Sequence, residues 1–157
     1  MYTNLFRSTV LKKYIISFLF AFSLVTNAIE VGTKIKGKEL SVWKSKDSFD
    51  LSKSTNGKKL VVNFWASWCT ACINELAELE ELKKKYSDEY EFVAINAGEK
   101  NIKIKKFMKR YKFSYKILED KNRDYSKSIG VEELPRTLVI DEKGTITYSG
   151  TRPPKKL

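Results

Sequence analysis

A chain of 157 residues accommodates one ordinary domain and not two. It has no histidine and two cysteines, so neither a Ser-His-Asp nor a Cys-His catalytic unit can be assembled, and two thiolates fall short of the four ligands of a structural zinc site. The formal charge of +11 is spread over segments that mostly carry acids as well, which argues against a nucleic-acid partner.

The first residues do not read as part of a domain. Met1 to Lys13 contain Arg7, Lys12 and Lys13 and no acid, and an apolar run of 12 residues from Tyr14 to Val25 follows, then Thr26-Asn27-Ala28. A basic start, a short apolar middle and a small residue at the end form a secretory signal pattern. The run is shorter than the roughly 17–25 apolar residues of a spanning helix. Residues 1–28 are therefore expected to be a signal peptide cleaved after Ala28, or else an uncleaved N-terminal anchor, and residues 29–157 the domain. Without the leader the charge falls by three, to +8. The placement is extracytoplasmic: the periplasm or the outer face of the cytoplasmic membrane.

Ile29 to Lys59 reads as an irregular or hairpin lead-in, Leu40, Val42 and Phe49, Leu51 alternating with polar residues in two short strands around a turn at Lys44 to Asp47. Asn56-Gly57-Lys58 signals a further turn. Leu60 to Trp65 is a nearly continuous β-branched and aromatic run, the pattern of a strand covered on both faces. From Cys69 to Tyr86 the period becomes helical, with Ile73, Leu76, Ala77, Leu82 and Tyr86 recurring, Leu79 partly in step, and Glu80, Glu81, Lys84 and Lys85 on the outer side. Glu91 to Asn96 is a second buried strand, Gly98 turns the chain, and Ile102 to Tyr111 is an amphipathic helix. Seven Lys or Arg between Lys100 and Lys112 form its solvated face, opposite Ile104, Phe107, Met108 and Tyr111. Tyr115 to Leu118 is extended, Arg123 to Ile129 a short helix stopped at Gly130, and Thr137 to Tyr148 a hairpin around Asp141 to Gly144. This order implies a mixed β-sheet with helices packed on it.

Cys69 stands where a buried strand has just ended and a helix begins. Free N–H groups and the dipole at that end favour negative charge, which lowers the thiol pKa and raises the fraction of the nucleophilic thiolate. Cys72 follows one turn later on the same side, able to close a disulfide and release a bound substrate. The competing reading is a static staple, but closing so short a loop removes little chain entropy. Ile73 in place of histidine after Cys72 excludes a c-type haem attachment site.

Asn63-Phe-Trp-Ala-Ser-Trp-Cys-Thr-Ala-Cys72 resembles the active-site strand and helix start of the thioredoxin superfamily, and more narrowly its exported TlpA/ResA-like thiol–disulfide oxidoreductases. The likeness continues through Phe92 to Glu99, Phe107 to Tyr111, Gly130 to Asp141 and Gly144, covering residues 38–150. It implies a thioredoxin-like α/β fold with an N-terminal β-hairpin extension. Pro135 matches the family's cis-proline, which with Leu134 shapes a substrate groove beside the cysteines; Trp68 would line that groove or act as a partly buried packing aromatic. Glu75 matches an acid that could relay a proton near the pair, its plainer reading being a solvated helix glutamate; Glu99 reads as surface. The resemblance implies no cofactor beyond the redox-active Cys69–Cys72 disulfide, clients among exported cysteine-containing proteins such as apocytochrome c, and a membrane thiol–electron donor. Rival readings are an oxidase or isomerase of the same fold, and a non-enzymatic module binding Cu(I) or protein through its thiols.

Two departures from the family pattern stand out. Thr70-Ala71 between the cysteines lacks the common proline, so a reduction potential does not carry over. Relatives usually continue into a last helix where this sequence has Thr151 to Leu157. With that helix missing, the face near Val139 and Tyr148 is expected to be exposed, covered by Ile29 to Lys59, or used by a partner.

Overall fold

The structure is a computed structural model and describes residues 29–53 and 57–157. The expected leader, residues 1–28, and Asn56 of the expected turn lie outside the described residues. No helix among the described residues is long and apolar enough to cross a membrane.

The continuous apolar runs become the centre of a seven-stranded mixed sheet, as the alternation of strands and helices requires. Its strands are β1 (Glu39–Val42), β2 (Ser48–Asp50), β3 (Lys59–Trp65), β4 (Tyr90–Ala97), β5 (Lys116–Asp120), β6 (Arg136–Ile140) and β7 (Ile146–Gly150), in spatial order β2-β1-β5-β4-β3-β6-β7. The central strands β3, β4 and β5 are parallel, and the two hairpins flank them antiparallel. The N-terminal hairpin thus extends the sheet at its β5 edge, with Leu40 opposite Phe49.

Because β3 alternates across the sheet, it feeds two cores. Val61 and Trp65 face one layer with Phe92, Ala94, Ile117 and Val139. Leu60, Val62 and Phe64 face the other with Val93, Ile95, Leu118, Leu138 and Ile140. Helices α1 (Thr70–Asn74), α2 (Leu76–Tyr86) and α3 (Asn101–Arg110) cover the first layer; α4 (Asp124–Ser128) and the lead-in around Ile35 cover the second. Trp65 is the keystone of the first layer, its ring 4.6 Å from Phe107 and 5.5 Å from Phe113 between centroids.

Three details differ from the sequence reading. The helix after the cysteines is not continuous: the Glu75 N–H turns to the Ile73 carbonyl, where an unbroken helix would give it the Ala71 carbonyl, and α1 ends. The inward stripe is Cys72, Glu75, Leu79 and Leu82, which keeps helical spacing across the break, and Ala77 is exposed. Glu80 does not join the outer charge pairs; both its oxygens accept from Ser114, at 2.7 Å from the N–H and 3.0 Å from the hydroxyl.

The third concerns the face near Val139 and Tyr148. The buried apolar residues of the lead-in, Ile35, Leu40, Phe49 and Leu51, pack on the opposite face, and only its partly buried Trp43 reaches the first core. Instead the chain's own last residues fold back: the Tyr148 hydroxyl donates to the Arg152 carbonyl at 2.8 Å, Pro153 is buried, and Leu157 packs against the first core. Val139 is thereby left 6 % exposed.

Candidate active site

β3 delivers the chain to the site. After Trp65 the backbone makes a tight turn, the Cys69 N–H donating to the Ala66 carbonyl at 3.1 Å, with Ser67 and Trp68 as its central residues. Cys69 is the N-cap of α1, in extended conformation, and its Sγ accepts the Cys72 N–H at 3.2 Å. One turn on, Cys72 closes a disulfide with it, the Cα atoms 5.3 Å apart. The sulfur of Cys69 therefore sits where unpaired helix N–H groups converge. Both cysteines are buried, with Cys69 the more accessible at 6 % against 2 % for Cys72.

Around the pair, Trp68 projects into solvent at 67 % exposure, so it is a surface aromatic beside Cys69 and not a packing residue. The Leu134–Pro135 bond is cis. Pairing of Arg136 with Phe64 sets Pro135 alongside the end of β3 that leads to the cysteines. Leu134 is half-buried and packs against the core cluster that contains both cysteines. The groove residues named from sequence thus converge on one end of the sheet.

Glu75 is not a solvated helix residue. It lies one turn on from Cys72 on the same inward face, at 6 % exposure, and its Oε2 has no hydrogen-bond partner among the described residues. Burial pushes its carboxyl up from 4.5 to about 7, repulsion from Glu78 adds to this, and the Arg152 guanidinium of the folded-back tail opposes it. Nearby, the buried Tyr115 hydroxyl also lacks a partner, and its pKa is raised first by desolvation, then by Glu80 and Glu75.

Residues 30–156 match the redoxin family. The chain belongs to that family. Within it, this redoxin is a TlpA/ResA-like member of the thioredoxin superfamily, a group of thiol–disulfide oxidoreductases. It is 34 % identical to the thioredoxin-like protein YneN of Bacillus subtilis in an alignment that covers 76 % of this chain and 79 % of that one. To the thiol-disulfide oxidoreductase ResA of Bacillus thuringiensis subsp. konkukian it is 32 % identical over 117 residues, 74 % of this chain and 62 % of that one. The redoxin thus spans less than two thirds of that relative's length. Among solved structures, the thioredoxin domain of a thiol-disulfide oxidoreductase from Bacteroides vulgatus superposes with a TM-score of 0.70 at 18 % identity, covering 80 % of this chain and 91 % of that one. StoA from Bacillus subtilis superposes at 0.64 and 21 % identity, covering 76 % and 90 %. Likeness at these identities speaks to the fold.

The sequence reading placed Glu99 on the surface, and the redoxin buries it at 8 % exposure. Gly98 adopts a φ of +90°, a backbone region that L side chains rarely enter, and this turn brings Glu99 inward at the end of β4. There Oε2 accepts the Ser67 N–H at 2.7 Å and the Asn96 side-chain amide at 2.9 Å, while Oε1 accepts the Ser67 hydroxyl at 2.6 Å. A glutamate directly after a glycine that ends a buried strand was the available signal. Its partner lies 32 residues away in sequence, which pattern reading does not connect.

Proposed function

We propose that this redoxin reduces disulfides of extracytoplasmic proteins, with Cys69 as the attacking thiol and Cys72 as the resolving one. The carrying observation is the N-cap placement of Cys69, whose sulfur already receives the Cys72 N–H. In the reduced protein that placement favours the thiolate. The Cys69 thiolate attacks one sulfur of a client disulfide; an S–S bond forms between protein and client as the client's own breaks, and one client thiolate leaves and takes up a proton. The Cys72 thiolate then attacks the Cys69 sulfur, re-forming the Cys69–Cys72 disulfide and releasing the second client thiolate. The client is reduced by two electrons and the protein is oxidised by two. A thiol donor in the membrane would restore the dithiol.

The exposed Trp68 ring, with Leu134 and Pro135, offers the client an apolar platform beside Cys69. Glu75, titrating near neutrality behind the pair, is suited to accept the Cys72 proton as that thiol becomes the second nucleophile. The resemblance to TlpA/ResA-like proteins supports apocytochrome c as a client, and the basic, apolar leader pattern supports work outside the cytoplasm.

Two measurements test this. In an insulin-reduction assay the wild type is expected to turn over and Cys69→Ser to fall to background; equal activity in both removes the enzymatic reading and leaves a thiol-binding module. Equilibration with glutathione gives the potential of the pair. A value well above the glutathione couple reverses the direction and makes the protein an oxidase or isomerase.

A further inference from the structure

We infer that Glu99 is a positioning residue for the nucleophilic cysteine, acting through Ser67. The inference rests on Cys69 being the attacking thiol. Ser67 is the first central residue of the turn that carries the chain from β3 to Cys69, closed by the Cys69 N–H to Ala66 carbonyl bond. Ala66 and Cys69 at its two ends are buried, but among the described residues no other side chain hydrogen-bonds its central residues, and Trp68, the second of them, points into solvent. Glu99 grips Ser67 at two atoms with two oxygens, at 2.7 and 2.6 Å, which fixes the residue in direction as well as in distance. The carboxylate is in turn held from the sheet, where the Asn96 amide donates to it at 2.9 Å from the end of β4. The clamp therefore runs from the end of β4 to the turn, and the turn sets where the Cys69 sulfur meets the Cys72 N–H.

The carboxylate suits this arrangement: it accepts only, and each neighbour donates to it. A glutamine at position 99 can keep every contact, its oxygen accepting the Ser67 N–H and the Asn96 amide while its NH2 donates to the rotatable Ser67 hydroxyl, so the variant that removes the clamp is Glu99→Ala.

The charge of Glu99 and its positioning act on Cys69 with opposite signs, which makes the inference testable. A buried negative charge near the cysteine disfavours its thiolate, so removing it as a charge alone would make Cys69 more reactive. Loosening the turn weakens the contact between the sulfur and the helix N–H and makes Cys69 less reactive. The experiment is iodoacetamide alkylation of Cys69 in the fully reduced protein at about pH 7, followed by mass spectrometry of the Cys69 peptide, with melting temperatures measured alongside. The expected result is a rate about tenfold lower in Glu99→Ala. Ser67→Ala should show a smaller loss, and the double variant a loss no greater than Glu99→Ala alone. A rate equal to or above wild type in folded Glu99→Ala overturns the inference, as do two losses that simply multiply. Should Glu99→Ala fail to fold, Ser67→Ala decides, and an unchanged rate there overturns it. Wild-type Cys69 reacting no faster than a thiol in an unfolded peptide would instead strike the proposed function itself.

Discussion

Glu75→Gln isolates the energetic consequence of turning a carboxyl inward. In the unfolded chain the group titrates near 4.5, and in the folded one near 7, chiefly because burial penalises the charge. The folded pKa is raised, so below about 4.5 the carboxyl is neutral in both states and costs nothing. As the pH climbs toward 7 the unfolded chain ionises freely while the folded one resists, and stability is lost through that window. The difference between the two values corresponds to about 3 kcal/mol at most, and solvent screening reduces it. Glutamine has the same size and no charge to lose. The oxidised wild type and Glu75→Gln should therefore melt together near pH 4, and the variant should melt higher near pH 8 by several degrees, with about 9 °C as the upper bound at about 3 °C per kcal/mol for a domain of this size. Every other titrating group is common to both proteins, so the difference curve belongs to this carboxyl. A difference that stays flat with pH, or one that opens on the acid side, refutes the reasoning.

The other expectations follow from packing and from the tail. Arg152→Ala removes the cation that holds Glu75 down, so the midpoint of the same difference curve should move to higher pH; an unmoved midpoint means the folded-back tail does not act on the site. Trp65→Ala empties a fully buried site between Phe107 and Phe113 and should cost about 3–5 kcal/mol by urea denaturation of the oxidised protein, with a loss below about 1 kcal/mol contradicting its place in the core.

The parts of this molecule that could be read from its sequence are those whose cause is local. Leu60 to Trp65 and Glu91 to Asn96 announce central parallel strands because both their faces are buried, and an unbroken apolar run leaves no polar face to expose. The hairpins announce themselves through alternation and turn residues, and the cysteines through their place between strand and helix. The missed features depend on meetings across space. The kink at Glu75 contains neither proline nor glycine, and helical periodicity alone runs through it. Thr151 to Leu157, with two prolines and two lysines, has the composition of an exit from the fold; only the contacts of Tyr148 and Leu157 turn it back onto the sheet. Glu99 carries the same charge pattern as any loop glutamate, and Ser67, which decides its role, stands 32 residues earlier.

The two buried glutamates near the cysteines show how environment divides labour between identical side chains. Glu99 has its lone pairs committed to three donors, two on the cysteine turn and one on the sheet, so its geometry is fixed and through it that of Ser67. Glu75 is buried to a similar degree but keeps one oxygen without a partner, and nothing in its surroundings favours its charge strongly except the more distant Arg152. Burying an unsatisfied carboxyl costs stability that a leucine at the same position would return. In the mechanism proposed above that cost finds a use, because the Cys72 thiol has to give up a proton near neutrality. Hydrogen-bond accounting thus separates a carboxylate whose lone pairs are all committed, the one proposed to position the nucleophile, from a carboxyl left with a free oxygen, the one proposed to move a proton.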